Sequence, residues 1–137
     1  MSLARLVLAD DHRGTAALLR ELLQSEFDVI GQVEDGVALV DAVERLSPDV
    51  VVSDISMPHL DGIGAAAQII RKCPTARIVL ITVHVDPVLE QRGLEIGVLG
   101  YVHKRRAGDE LLPAVHAALR GERYVSQLQP AHVHRIR

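Results

Sequence analysis

Three carboxylates, a hydroxyl and an amine are the residues of this 137-residue chain whose types and positions suit chemistry. Asp10 and Asp11 stand side by side after the apolar run Leu6–Ala9, and Asp54 follows the run Val50–Ser53. Thr82 closes Ile78–Thr82, and Lys104 follows Tyr101–His103. Three carboxylates held close together repel, and at least one takes up a proton unless a cation joins them. A hard divalent ion meets that need: Mg²⁺ binds through one or two carboxylates and leaves room for water and a substrate phosphate. An ammonium suits a phosphoryl oxygen as a point charge, and a carboxylate can itself be the nucleophile, giving an aspartyl phosphate. If the fold gathers these five residues, the chemistry expected of them is the making or breaking of a phosphoryl bond.

A polar residue after any one buried strand is ordinary, so the expectation rests on the elements that would gather them. Short apolar runs at Leu6–Ala9, Val29–Val33, Val50–Ser53, Ile78–Thr82 and Tyr101–His103 read as strands, three of them nearly continuous, as in a parallel sheet buried on both faces. Between them lie segments of helical period at about 15–25, 36–46, 63–72, 87–96 and 109–120. Leu18, Leu19, Leu22 and Leu23 form the stripe of the first, Val40, Val43 and Leu46 that of the second, and Leu111, Leu112, Val115 and Leu119 that of the last. Pro48 and Pro74 stop two of these helices, and Gly97 and Gly121 end two others. Five strands alternating with five helices predict an α/β fold, an open doubly wound sheet, because a closed barrel of this kind needs about 250 residues. In such a sheet ligands sit beyond the carboxyl ends of the strands, where all five residues stand.

Composition narrows the function. A net charge of −3 excludes a strongly basic nucleic-acid binder, and the single cysteine, Cys73, excludes an internal disulfide framework and a cysteine-based zinc site. No apolar run has the length of a membrane span and no signal peptide opens the chain, so the expected location is cytoplasmic. There is no Gly-x-Gly-x-x-Gly fingerprint or P-loop; Gly31, Gly36 and Gly97 read as turn residues. His132 and His134 are too few for a zinc site. Arginine occurs thirteen times and lysine twice, at Lys72 and Lys104, and only Lys104 follows a strand that ends near the acids.

The motifs resemble those of response-regulator receiver domains, the phospho-acceptor half of two-component signalling. The resemblance is carried by Leu8-Ala9-Asp10-Asp11-His12, by the run from Asp54 through Ser56, Met57, Pro58 and Asp61 to Gly62, by Thr82, and by Gly100-Tyr101-Val102-His103-Lys104. It covers about residues 4–124. The Thr82-Val83-His84 stretch and the ending Arg120-Gly121-Glu122-Arg123-Tyr124-Val125-Ser126 are similar to the NarL/FixJ (LuxR-type) subfamily in particular.

The resemblance implies a flavodoxin-like (βα)5 fold of five parallel strands in the order 2-1-3-4-5, with helices on both faces. It implies Asp54 as phospho-acceptor from a sensor histidine kinase, and Mg²⁺ held by Asp11, Asp54 and the Ser56 carbonyl, with Asp10 acting through water. Lys104 and Thr82 would contact the phosphoryl group, and Tyr101 would change rotamer with Thr82 to switch the face of helix four, strand five and helix five. Ser56 and His84 fall where the family tunes phosphoryl lifetime. Two positions depart from the pattern: Arg105-Arg106 stands where many receivers have proline, and Val83 is bulkier than the usual small residue.

The expected organisation is a receiver over 1–124 and a tail or linker over 125–137 leading to a helix-turn-helix DNA-binding domain outside this chain. Phosphorylation-dependent homodimers fit that plan; a stand-alone adaptor or phosphate sink is the alternative. The domain is expected to catalyse only its own phosphorylation and dephosphorylation. A Mg²⁺-dependent aspartyl phosphatase is a weaker reading, because that chemistry wants a second acid two positions after the nucleophile, where Ser56 stands.

Overall fold

Runs of Val, Ile and Leu without polar interruption form strands buried on both faces here. The structure, a computed structural model, describes residues 2–126. Strands β1 (Arg5–Ala9), β2 (Asp28–Val33), β3 (Val50–Asp54), β4 (Ile78–Thr82) and β5 (Gly100–His103) alternate with helices α1 (Arg13–Gln24), α2 (Gly36–Leu46), α3 (Gly62–Lys72), α4 (Pro87–Ile96) and α5 (Ala107–Leu119). A 3-10 turn, Lys104–Arg106, leads into α5, and a two-residue strand, β6 (Tyr124–Val125), follows it. All strands pair in parallel, in the order β2-β1-β3-β4-β5-β6.

Alternation along each strand splits the core in two. Leu6 and Leu8 of β1 face Leu19 and Leu23 of α1 and Leu111 and Val115 of α5. Val7 and Ala9 face the opposite layer with Leu39 of α2, Ile63 and Ile69 of α3, and Tyr101 of β5. Strand order reverses between β1 and β3, so the loops after these two strands diverge to opposite faces and leave a crevice at their carboxyl ends. Asp10 and Asp54 stand there.

The expected five strands are six. Two residues are too short to show a period, and β6 is set by long-range bonds instead: Tyr124 N donates to Leu99 O at 2.9 Å and Ser126 N to Tyr101 O at 2.9 Å. Buried Ser126 continues the tie, accepting from His103 N at 3.0 Å and donating to the buried Glu110 carboxylate of α5. Val125 and Ser126, expected as the first residues of a tail, are thus held against β5; His132 and His134 lie outside the described residues.

Two smaller expectations also change. Leu18 is 71% exposed, because the buried stripe of α1 runs through Ala16, Leu19 and Leu23. Gly31 lies within β2 under Leu46 rather than in a turn, and Gly36 opens α2, its N–H donating to Leu60 O at 2.8 Å.

Candidate functional site

Each site residue is carried out of the sheet by its own strand. Asp10 follows β1 and is fully buried, its backbone N–H bonded to Val33 O at 3.0 Å. Asp54 is the last residue of β3 and 4% exposed. Thr82 ends β4 and pairs in register with His103 at the end of β5, directly before Lys104. The Lys104 side chain turns back over the strand ends: Nζ donates to Asp10 Oδ2 at 3.0 Å and to Asp54 Oδ2 at 3.1 Å. Asp54 Oδ1 accepts from Ile55 N at 2.8 Å, which fixes the carboxylate plane.

The charge balance is uneven. Asp10, Asp11 and Asp54 lie close together against the one ammonium of Lys104. Burial raises the Asp54 pKa, and the nearby Lys104, whose charge it shares with Asp10, lowers it by less. Lys104 sees two carboxylates; burial works against its charge, but their combined pull holds its pKa above the usual value. The Asp54 shift gives a signed consequence. Between the ordinary value of 3.8 and the raised folded value, the native state binds more protons than the unfolded chain, so stability falls as pH rises through that window. Asp54→Asn is therefore expected to be more stable than the wild type at neutral pH without divalent ions, and the difference should vanish below the ordinary carboxylate value. Urea melts of both proteins across that range check it.

The donor set fits a hard divalent ion. Ligand atoms of Asp10, Asp11, His12 and Asp54 all lie within 4.8 Å of one another. Asp11 Oδ1 is buried and has no hydrogen-bond partner among the described residues, an oxygen without the contact that a buried acceptor needs. An open cleft of about 590 Å³ lies alongside, lined by Asp11, His12, Ser56, Met57, Pro58 and Leu89 among others. A second hollow, of about 350 Å³ between α2 and α3 beside Lys72 and Cys73, contains none of the strand-end residues. Lys72 itself is exposed and paired with Glu44.

The loop after β3 is shaped around Asp54. Asp61 caps α3, accepting from Gly64 N at 2.7 Å, and Gly62 N donates back to Ile55 O at 2.8 Å. A Cβ on Gly62 would stand 2.0 Å from the Asp54 carbonyl oxygen, so only glycine lets α3 begin here.

Thr82 is buried and its Oγ1 accepts from His84 N at 3.1 Å, while Val83 and His84 are exposed. Tyr101 is fully buried on the α4 side; its hydroxyl has no partner among the described residues, and its pKa is pushed up to about 12, first by burial and then by Glu90 and Asp86. Asp10, Asp11, Asp54 and Lys104 are thus gathered in one cluster, with Ser56 on the cleft wall beside it. Thr82 borders the cluster from the next strand, and Tyr101 lies one layer beneath, its register partner being Leu80.

Residues 6–116 match the family profile described as response regulator receiver domain. The chain belongs to that family. The receiver domain is 36% identical over 122 residues to the transcriptional regulatory protein LiaR of Bacillus subtilis (strain 168), a match covering 86% of this chain and 57% of LiaR. It is 31% identical over 123 residues to the transcriptional regulatory protein DegU of Brevibacillus brevis, covering 88% of this chain and 52% of DegU. The chain spans about half the length of these curated relatives. Among solved structures, it resembles a LuxR-family two-component response regulator from Aurantimonas sp. SI85-9A1, at 29% identity and a TM-score of 0.88 over 99% of this chain and all of that one. The isolated receiver of RcsB from Salmonella enterica serovar Typhimurium, solved with the phosphomimetic BeF3−, gives 27% identity and a TM-score of 0.83, over 92% of this chain and 95% of that one. The relatives are NarL/LuxR-family response regulators.

Two parts of the site carry little signal in the sequence. His12 stands in the sequence only as part of a motif, yet its ring lies against the acidic pair. Its position beside two aspartates was the available signal. The Ser126–Glu110 tie behind β5 depends on tertiary geometry and leaves no local pattern.

Proposed function

We propose that this receiver domain accepts one phosphoryl group on Asp54 from the phosphohistidine of a sensor histidine kinase. The observation that carries the reading is the Lys104 ammonium set between the Asp10 and Asp54 carboxylates at the carboxyl ends of β1, β3 and β5. An Asp54 carboxylate oxygen attacks phosphorus; the new P–O bond forms as the P–N bond breaks, and its electron pair leaves with the imidazole. Lys104 then turns from the carboxylate to a phosphoryl oxygen, where a compact ammonium stabilises charge as the group transfers. Asp11, Asp54 and the Ser56 carbonyl would hold Mg²⁺, with Asp10 acting through water. When bound, the ion would neutralise further charge on the phosphoryl oxygens.

Readout follows from the same neighbours. A phosphoryl oxygen on Asp54 gives the Thr82 hydroxyl an acceptor, drawing it from the β4–α4 loop where it now bonds His84 N. Tyr101 adjusts with it, and the face formed by α4, β5 and α5 changes. That face governs homodimerisation and, through the segment after β5 and α5, a DNA-binding output domain beyond this chain. Support comes from the relatives' names as transcriptional regulatory proteins and from a solved structure of two RcsB dimers bound to two parallel DNAs. The domain turns over no substrate but its own phosphoryl group, and it works in the cytoplasm; no helix among the described residues is long and apolar enough to cross a membrane. Incubation with acetyl phosphate and Mg²⁺ is expected to add a single phosphoryl group by intact mass, and chelation of the ion to prevent it. No adduct, or one indifferent to chelation, contradicts the reading.

A further inference from the structure

His12 has no part in the transfer chemistry, yet its placement is specific. It occupies the N-cap of α1 but makes no side-chain cap bond, whereas Asp35, Asp61 and Asp86 cap α2, α3 and α4 with their carboxylates. Its backbone N–H is bound to Asp10 Oδ1 at 2.9 Å, which fixes the residue over the acidic pair. The ring is 68% exposed, but Nδ1 is turned inward, 3.1 Å from Asp11 Oδ1 and 3.6 Å from Asp10 Oδ1. The approach to Asp11 Oδ1 lacks hydrogen-bond geometry, since that oxygen has no hydrogen-bond partner among the described residues. Two donor atoms at right angles on an ion with bonds of about 2.1 Å stand about 3.0 Å apart. Nδ1 and Oδ1 are already at that separation, with two further carboxylates in reach.

We propose that His12 Nδ1 is a nitrogen donor to the divalent ion of this site and shifts its preference toward imidazole-binding metals. The proposal rests on the reading that the acidic centre holds a divalent ion. An all-oxygen set suits Mg²⁺, which gains little from imidazole; Co²⁺ and its neighbours favour mixed nitrogen and oxygen ligands. With His12 in place, the domain would take Co²⁺ well ahead of Mg²⁺ and remain able to use either.

The test is calorimetric titration of Co²⁺ and of Mg²⁺ into the full chain carrying His132→Asn and His134→Asn, which removes two competing imidazoles, with and without His12→Asn. His12→Asn is expected to weaken Co²⁺ by at least about tenfold, with Mg²⁺ changed by less than about twofold, and to remove the nitrogen contribution to the visible Co²⁺ spectrum. Unchanged Co²⁺ affinity and spectrum would make the imidazole a bystander and overturn the proposal. Tighter binding of both ions in the variant would also overturn it, because His12 would then be a positive charge competing with the metal. Failure of either ion to bind the parent chain would instead bring down the divalent-ion reading itself, and this proposal with it.

Discussion

Lys104→Ala is expected to slow phosphoryl uptake from acetyl phosphate about a hundredfold or more, the cost of losing one preorganised donor to developing charge. Its Nζ contacts both Asp10 and Asp54, at 3.0 and 3.1 Å, so its removal takes a donor from both carboxylates at once. The loss has two parts. Without the ammonium, the two buried carboxylates repel with no opposing charge between them, and the Asp54 pKa, which burial already raises, moves further up. The transferring group also loses a point charge. Lys104→Arg tests which part dominates. It keeps the charge but brings a planar fork into a space where the lysine side chain is 10% exposed. Partial recovery, still about tenfold below wild type, is expected if contact geometry matters as well as charge. Time-resolved intact mass gives both rates; a Lys104→Ala rate within a few fold of wild type would remove Lys104 from the mechanism.

Gly62→Ala is expected to cost about 3 kcal/mol of stability. The added Cβ would stand 2.0 Å from the Asp54 carbonyl oxygen and 3.0 Å from Ile55 Cα, both backbone atoms with no flexible end to yield. Either α3 withdraws, losing the Gly62 N to Ile55 O bond, or the end of β3 moves. Both outcomes disturb Asp54, because Ile55 N is the donor that fixes its Oδ1. Thermal or urea melts should show the loss, and phosphoryl uptake should fall even under conditions where the variant is folded. Gly64→Ala is a useful contrast. Its Cβ would meet Leu60 Cδ1 at 2.7 Å, the far end of a flexible side chain, so a smaller effect is expected.

β3 and β4 are buried at every position, so their aliphatic runs stand out, and Asp54 and Thr82 are visible as the residues that close them. The helix boundaries after α2 and α3 were legible from proline, and that after α4 from Gly97, which takes φ +111. Strand order was available only through the family resemblance, since periodicity does not say which strand lies beside which. β6 was missed because two residues held by Leu99 and Tyr101 backbone groups have no pattern of their own. Leu18 misled because four leucines in α1 outnumber the positions that the sheet can cover. Lys104 was singled out by rarity among thirteen arginines, and its contacts now give that choice a physical meaning. The side-chain ties of Ser126 to Glu110 and of His12 to the acidic pair cross between elements or depend on loop conformation, which no local pattern encodes.

The proposed covalent phosphoryl acceptor is Asp54. An acyl phosphate is reduced by borohydride to an alcohol, which converts a phosphorylated aspartate into homoserine and marks its position permanently. The chain treated with acetyl phosphate and Mg²⁺, then with borohydride, is predicted to yield homoserine at position 54, with none at Asp10 or Asp11 and none anywhere in Asp54→Asn. Homoserine at Asp10 or Asp11, or undiminished labelling of Asp54→Asn, would contradict it.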